Sequence, residues 1–327
     1  MINQIIHGDS IEYLKSFPND YVHAIISDIP YGISYDEWDV IHNNTNSALG
    51  GTTAAQLEAG DVFKRRGKPL NGWSSADKSI PMEYQKWCAS WASDWLRVLK
   101  PGGSCFIFAG RRYAHRGIVA LEEAGFTFKD MLAWEKTMAP HRAQRISEIY
   151  RRRGDKADSE KWAGWRVANL RPLFEPVLWF QKPYKIGGTL ADNILEHEVG
   201  AWNEAALLAY NDVLWPTKEA TFSNIIRISA DKRDHGLHEA QKPLKLMECL
   251  VSLVTREDLI VLDPFAGSGT TCVAAKRLGR RYIGIEIDER YVKVAKARLA
   301  ETLPGEPALG RIFRNVSLFD RLDVKSE

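Results

Sequence analysis

The chain of 327 residues has only four cysteines, Cys88, Cys105, Cys249 and Cys272, and no two of them form a CxxC pair. Scattered single thiols argue against a disulfide framework or a zinc site and suit a reducing compartment. No run of about 18 apolar residues occurs, which argues against a membrane-spanning helix. The opening Met1-Ile2-Asn3-Gln4-Ile5-Ile6-His7-Gly8-Asp9 has no basic start, apolar stretch or cleavage site, so no secretory signal is expected. Charge of one sign is missing too. The 44 Lys and Arg against 42 Asp and Glu leave a formal net charge of +2, too small to name a partner. Internal repeats and low-complexity tracts are absent. What remains is an ordinary globular composition in a chain long enough for one large domain or two modest ones. A cytoplasmic location is the expectation.

The clearest signal lies in the last third, Leu259-Ile260-Val261-Leu262-Asp263-Pro264-Phe265-Ala266-Gly267-Ser268-Gly269-Thr270. The apolar run predicts a strand over 259–262. Gly267-Ser268-Gly269 predicts a turn that permits close backbone approach, and 270–278 a helix ended by Gly279. Tyr282-Ile283-Gly284-Ile285 predicts a second strand that ends on Glu286. This order is that of a nucleotide-binding βαβ unit, with the acid about 20 residues after the turn, where it can take ribose hydroxyls. Cys272 stands where the dinucleotide pattern has its third glycine, and no GK[ST] follows, so the stretch is not a P-loop. Asp263 and Phe265 put a carboxylate and a ring beside the helix N-terminus. That suits a nucleoside carrying an amino-acid group better than a pyrophosphate.

In the N-terminal half, strands are predicted over 4–7 and 23–26, joined by a helix over roughly 10–16. Leu99 to Gly110 reads as a turn and a third buried strand. Tyr84, Trp87, Trp91 and Trp95 recur at helical spacing, which predicts core packing. Phe126 to Lys136 and Pro172 to Lys182 predict an antiparallel pair that closes a mostly parallel sheet. The second strand runs into Ser27-Asp28-Ile29-Pro30-Tyr31-Gly32. A carboxylate at the end of a buried strand is costly unless paired. Asp28 therefore either has a structural partner or serves as an acceptor beside an aromatic ring.

Together these residues resemble the amino-group DNA methyltransferases, which methylate adenine N6 or cytosine N4 with S-adenosylmethionine. Asp28-Ile29-Pro30-Tyr31 matches the family's (D/N/S)-P-P-(Y/F/W) catalytic signature, and Asp263 to Thr270 its donor-binding signature. Gly8-Asp9, the turn from Leu99 to Gly103, Leu132 to Lys136, and His238 to Pro243 support the match. The catalytic motif precedes the donor motif, which resembles the family's β order. Glutamine N5 and many ribosomal RNA methyltransferases have the reverse order. The likeness covers most of residues 3–302. It implies an α/β, Rossmann-like S-adenosylmethionine-dependent methyltransferase fold with a seven-stranded, mostly parallel sheet. Its expected parts are a catalytic half (1–137, with an inserted loop at 35–81), a basic insert, closing strand and target-recognition region (138–235), a donor-binding half (236–302) and a tail (303–327).

The resemblance also implies roles. The Asp28 carboxylate and the Ile29 carbonyl accept the hydrogens of the target amine, Pro30 fixes the turn, and Tyr31 stacks on the flipped base. Ile29 stands where the family has proline, but it offers the same carbonyl. For the donor, Phe265, Gly267 and Gly269 run along the methionine and sulfonium, with Asp263, Ser268 and Thr270 completing the motif. Glu286 takes the ribose, and Asp9 takes the adenine amino group or simply caps a helix. His238 and Lys242 lie in the remaining donor-binding stretch. The product is S-adenosylhomocysteine, and no metal is expected.

Between His141 and Pro172 nine Lys or Arg face four Asp or Glu. Such a run is often a solvated face. Beside a catalytic face, with Trp162 and Trp165 nearby, it becomes a candidate phosphate clamp formed by Arg142, Arg145, Arg151, Arg152 and Arg153. Residues 183–235 are a second candidate for target recognition. The 35–81 stretch is long for a connection and reads as a loop that closes over DNA or donor. The expected function is site-specific adenine-N6 methylation of double-stranded DNA by base flipping and direct in-line transfer. The alternatives are cytosine-N4 methylation, an RNA methyltransferase, and a non-catalytic DNA-binding module. Expected partners are double-stranded DNA, a second copy in a homodimer, and a separate restriction endonuclease, since no room remains here for a nuclease domain.

Overall fold

A computed structural model describes residues 2–31, 75–136, 139, 143–167, 170–210, 222–229 and 241–305. Most of the loop expected at 35–81, much of the target-recognition stretch, Arg142 and His238 lie outside the described residues. The first half runs β1 (Gln4–His7), α1 (Ser10–Leu14), β2 (Val22–Asp28), α2 (Ser75–Val98), β3 (Leu99–Phe108), α3 (Ala114–Glu123) and β4 (Thr127–Glu135). Then come β5 (Gln144–Arg145), α4 (Ile146–Arg152), α5 (Lys156–Lys161), β6 (Arg166–Val167), β7 (Phe174–Gln181), α6 (Leu190–His197), α7 (Glu204–Tyr210) and β8 (Ile225–Arg227). The last third is α8 (Leu244–Val254), β9 (Ile260–Asp263), α9 (Thr270–Arg277), β10 (Arg281–Glu286) and α10 (Glu289–Glu301).

The main sheet has the order β1-β10-β9-β2-β3-β7-β4-β8. Only β7 runs against its neighbours: its antiparallel pairing with β4 is the one predicted from residues 126–136 and 172–182, and it pairs antiparallel with β3 as well. Among the described residues the sheet has eight strands, where seven were expected. The additional one is β8, three residues that pair parallel with β4 from Ala133↔Ile225 to Glu135↔Arg227. A run that short carries no readable alternation.

Both faces of the sheet are covered, so its strands read as nearly continuous apolar runs. Successive residues still point to opposite faces. Ala24, Ile26, Phe106, Phe108, Val177 and Trp179 join the cluster under α8 and α9. Ile25, Cys105, Ile107, Leu178 and Phe180 join the other, with Tyr84, Trp91 and Trp95 of α2. The helical stripe is thus core packing for those three, and the rings of Trp91 and Trp95 lie 4.1 Å apart. Trp87 is only partly buried. The four cysteines are all buried and unbridged. Among the described residues no helix is long and apolar enough to cross a membrane.

This topology decides where a ligand can sit. From β9 the chain crosses to β10 on one side, and from β2 it crosses to β3 on the other. In open α/β sheets, ligands bind outside the carboxyl ends of the strands at such a reversal. Asp263 and Asp28 are the last residues of those two strands. Because β7 is antiparallel, its first residues return to the same edge, where Glu175 pairs with Trp134. The β5–β6 hairpin with α4 and α5 lies apart, and none of residues 143–167 is buried.

Close packing between β10 and its neighbours uses Gly284. A Cβ there would lie 2.5 Å from Ile5 Cδ1, 2.9 Å from Cys272 Sγ and 3.1 Å from Ala266 Cβ. Gly284→Ala should therefore destabilise the protein by about 1–3 kcal/mol, the usual cost of overpacking, as measured by urea unfolding.

Candidate active site

Three parallel strand ends and the turn after β9 enclose a cavity of about 520 Å³. Asp9, Trp87, Phe265, Gly267, Glu286 and Lys242 are among its lining residues, and it reaches Asp28 and Pro30. On its β9 side, Asp263 acts as a tie between strands. Its Oδ1 accepts the Ser27 hydroxyl at 2.7 Å and the Phe265 N–H at 3.2 Å. Burial pushes the Asp263 carboxyl up to about 6, against the pull of these donors. Gly267 and Gly269 adopt φ of +50° and +78°, and Gly269 caps α9 in the left-handed conformation. A Cβ on Gly269 would stand 2.8 Å from that of Ala295, so this glycine serves close packing as well as the turn.

Glu286 ends β10 and closes the turn. Its Oε2 accepts the Gly267 N–H at 2.7 Å, and its Oε1 the Asp288 N–H at 2.8 Å. Burial raises its pKa and these backbone donors oppose the rise. Asp9 caps α1 by accepting the Ile11 N–H at 2.9 Å, and it also lines the cavity. Phe265 packs against indoles, with its ring 5.8 Å from Trp87 and 6.0 Å from Trp95. Beneath the turn lies Arg298 of α10, 1% exposed. Its Nη1 donates to the Ser268 carbonyl at 2.7 Å and lies 3.0 Å from the Thr270 hydroxyl and 3.2 Å from that of Ser268.

The catalytic motif meets a cluster of charges. Lys242, 6% exposed, donates from Nζ to Asp28 Oδ2 at 2.5 Å and sits 3.2 Å from Glu175 Oε1. Glu175 also accepts the Tyr31 hydroxyl and the Lys136 ammonium. The Tyr31 hydroxyl also lies close to Asp28, but its single proton goes to Glu175, which leaves Oδ1 of Asp28 buried with no hydrogen bond from a described residue. Such an orphaned oxygen is costly, and it belongs to a residue that lines the cavity.

Burial lifts the Asp28 carboxyl to about 6, with Lys242 opposing and Glu175 reinforcing the rise. Burial would raise Glu175 as well, but two ammonium groups, Lys242 and Lys136, outweigh it and hold Glu175 at about 2. Lys242 is driven down by burial and further up by its two carboxylates, with a net rise. The two acids differ because one has a single shared cation and the other has two.

The structure therefore gathers Asp28, Pro30, Asp9, Asp263, Phe265, Gly267, Ser268, Thr270, Glu286 and Lys242 around one cavity. Gly269, Ile29 and Tyr31 stand just outside its lining. The Ile29 side chain is 2% exposed and packs in the core. Lys242, expected on the donor, lines the cavity and places its ammonium on the Asp28 carboxylate. Ser268 and Thr270 turn their hydroxyls to Arg298. Arg145, Arg151, Arg152 and Arg153 sit on the outlying hairpin, and Arg151 is paired with Glu148 at 2.6 Å. Glu175, Lys136, Trp87 and Arg298 escaped the sequence reading as site residues. The signal for Glu175 was an acid inside the apolar run Phe174–Gln181, the same anomaly that flagged Asp28. Arg298→Met should leave the Ser268 carbonyl and the Thr270 hydroxyl without this donor. Stability should fall by about 1–3 kcal/mol, and amide exchange should speed up across 267–271.

Comparison with known proteins agrees with this geometry. A family model described as DNA methylase matches residues 22–297. The type II methyltransferase M.HindIII of Haemophilus influenzae is 60% identical over 299 residues, covering 91% of this chain and 96% of that protein. Two solved structures share the fold at lower identity. The cytosine-N4-specific PvuII DNA methyltransferase has a TM-score of 0.58 at 20% identity, over 99% of this chain and 91% of that one. A protein of Thermus thermophilus, described as a DNA modification methylase and complexed with S-adenosyl-L-methionine, has a TM-score of 0.55 at 21% identity, over 93% and 96%. A family model over residues 22–297 and a relative 60% identical over 91% of the chain show the family: this protein is a member of the N6/N4 DNA methylase family.

Proposed function

We propose that the protein transfers a methyl group from S-adenosylmethionine to the exocyclic N6 of adenine in double-stranded DNA, at a specific site. The observation that carries this reading is Asp28, with one oxygen held by Lys242 and the other left without a donor beside the cavity. An exocyclic amine is a poor nucleophile because its lone pair is delocalised into the ring. Acceptance of one hydrogen by Asp28 Oδ1 and of the other by the Ile29 carbonyl localises that pair on nitrogen. Asp28 and Ile29 would so hold the nitrogen in line with the donor's methyl group, the electrons of the broken carbon–sulfur bond would leave with the thioether, and the nitrogen's proton would pass to the Asp28 carboxylate. Positioning and electrostatics supply most of the rate. Tyr31 would stack on the base after it leaves the duplex. The aspartate at the head of the motif, where the cytosine-type signature has serine, supports adenine.

The residues present suit the donor. Glu286 would take the ribose hydroxyls, Asp9 the adenine amino group, and Phe265 with Gly267 the methionine portion; the positive end of α9 faces the same cavity. When bound, the donor supplies an electrophilic methyl group on a sulfonium. Its product would be S-adenosylhomocysteine. Arg145, Arg152 and Arg153 would clamp phosphates from the outlying hairpin. A homodimer, a cytoplasmic location and a separate restriction endonuclease belong to the same reading.

The test is incubation with labelled S-adenosylmethionine and duplex DNA, followed by digestion and identification of the methylated nucleoside by mass. N6-methyladenine is expected; N4-methylcytosine would correct the base, and unlabelled DNA would end the proposal. Asp28→Asn should lower kcat by about 10²–10³-fold. The ionised Asp28 is much the stronger acceptor of the amine hydrogen, and its pKa is raised to about 6. The parent's activity should therefore rise with pH through that value and level off above it. Replacing both Arg152 and Arg153 with Gln should weaken DNA binding across sequences and reduce its salt slope by roughly 2.

A further inference from the structure

Tyr31, Asp28 and Lys242 approach the pocket from two separate stretches of chain, and each needs something to fix it. Glu175 touches two of them directly. It stands second in β7, on the antiparallel strand that returns to the carboxyl edge of the sheet. Pro176 follows it and confines its backbone to the extended region. The Pro176 carbonyl accepts the Ala109 N–H at 3.2 Å, and across β4 the partner of Glu175 is Trp134. Few places in the molecule offer a carboxylate on a firmer base.

We propose that Glu175 is a positioning residue of the methyl-accepting pocket: its carboxylate holds the Tyr31 ring by the hydroxyl and Lys242 by the ammonium, so that Asp28 keeps one oxygen for the target amine. This rests on the reading of the pocket given above and assigns a role that the catalytic motif does not contain. A Tyr31 ring tethered at its hydroxyl is oriented before a base arrives, which lowers the entropy lost on stacking. Lys242 lies between Asp28 and Glu175 and 5.3 Å from the centres of the Tyr31 and Phe108 rings, so it is confined on several sides.

Charge balance points the same way. Asp28 and Glu175 carry two negative charges and Lys136 and Lys242 two positive ones. The cluster is neutral as it stands, beside a cavity read as binding a sulfonium. Without Glu175 it would carry one net positive charge, and Lys242 would belong to Asp28 alone. Its three N–H donors could then occupy both carboxylate oxygens and compete with the incoming amine.

The groups that face Asp28 are Lys242 from the segment before α8, Glu175 from β7, Tyr31 from its own motif and Asp263 from β9; Lys136 acts through Glu175. Two substitutions should therefore move the acid limb of the pH–rate profile in opposite directions. Glu175→Gln removes a like charge from Asp28 and should shift the limb to lower pH by about one pH unit, with kcat reduced about 10²-fold by misplacement. Lys242→Met removes the stabilising cation and should shift the limb upward. A loss of packing alone would not reverse sign between the two variants.

The experiment measures methyl-transfer rates of the parent and both variants on duplex DNA from pH 5 to 9, together with S-adenosylmethionine binding by equilibrium dialysis. Opposite shifts with donor binding retained support the role. An unmoved limb in Glu175→Gln, a shift in the same direction as Lys242→Met, or loss of donor binding along with activity would overturn it. If Glu175→Gln does not fold, Tyr31→Phe keeps the ring and deletes only the anchored hydroxyl. That variant should lose at least roughly tenfold in kcat while still binding donor, and parent-like kcat overturns the proposal. A parent protein that places no methyl group on DNA removes the underlying reading and the proposal with it, an outcome plainly different from a failed variant.

Discussion

The ammonium of Lys242 between the carboxylates of Asp28 and Glu175 is the contact on which the rest of the site depends. A largely buried carboxylate at a strand end is expensive, and pairing it is the ordinary remedy. Here the remedy is incomplete, because Oδ1 of Asp28 has no donor among the described residues while Oδ2 has a strong one. An acid paired on both oxygens would be a structural element. An acid paired on neither would be pushed further toward its neutral form. Half pairing leaves it as an acceptor with its geometry fixed.

The donor side applies the same economy to a turn. Glycines in the left-handed conformation let the backbone between β9 and α9 bend sharply. Flexibility there would blur the cavity, so the turn is held from two sides. Glu286 accepts the Gly267 N–H from above the end of β10, and Arg298 donates to Ser268 from beneath. Asp263 then links this turn to β2 through Ser27, directly next to Asp28 in the chain. The glycine turn after β9 and the Asp28 carboxylate are thus joined through Asp263 and Ser27, and no intervening loop has to be ordered to keep their spacing.

Much of this arrangement could be read from local pattern. The βαβ unit of the last third announced itself through apolar runs, glycines and a terminal acid, and the antiparallel pair β4–β7 through two apolar runs of similar length. Of Tyr84, Trp87, Trp91 and Trp95, all read as core from their helical recurrence, three are buried, while Trp87 lines the cavity. Other features were harder. The three residues of β8 are too few to show a period. Lys242 could be placed near the donor motif by resemblance, yet nothing local says which carboxylate an ammonium on a four-carbon stem will reach. Arg298 lies in a basic stretch of α10, where a charge ordinarily faces water. Its burial follows only from the position of the glycine turn above it.

What the sequence determined by itself was the kind of chemistry: an acid, a turn and an aromatic ring after one strand, and a glycine turn with acids at both ends after another. Those are local properties, since strand periodicity, glycine conformation and helix ends depend on neighbouring residues. The tertiary structure decided the partners. Asp28 and Lys242 are 214 residues apart and Tyr31 and Glu175 are 144 apart, and they meet because the crossovers reverse between β9 and β2 while β7 runs back to the same edge. Electrostatic pairing falls off with distance in space and is indifferent to separation along the chain. For that reason the identity of the acid could be read in the sequence, and the cation that holds it could be found only in the fold.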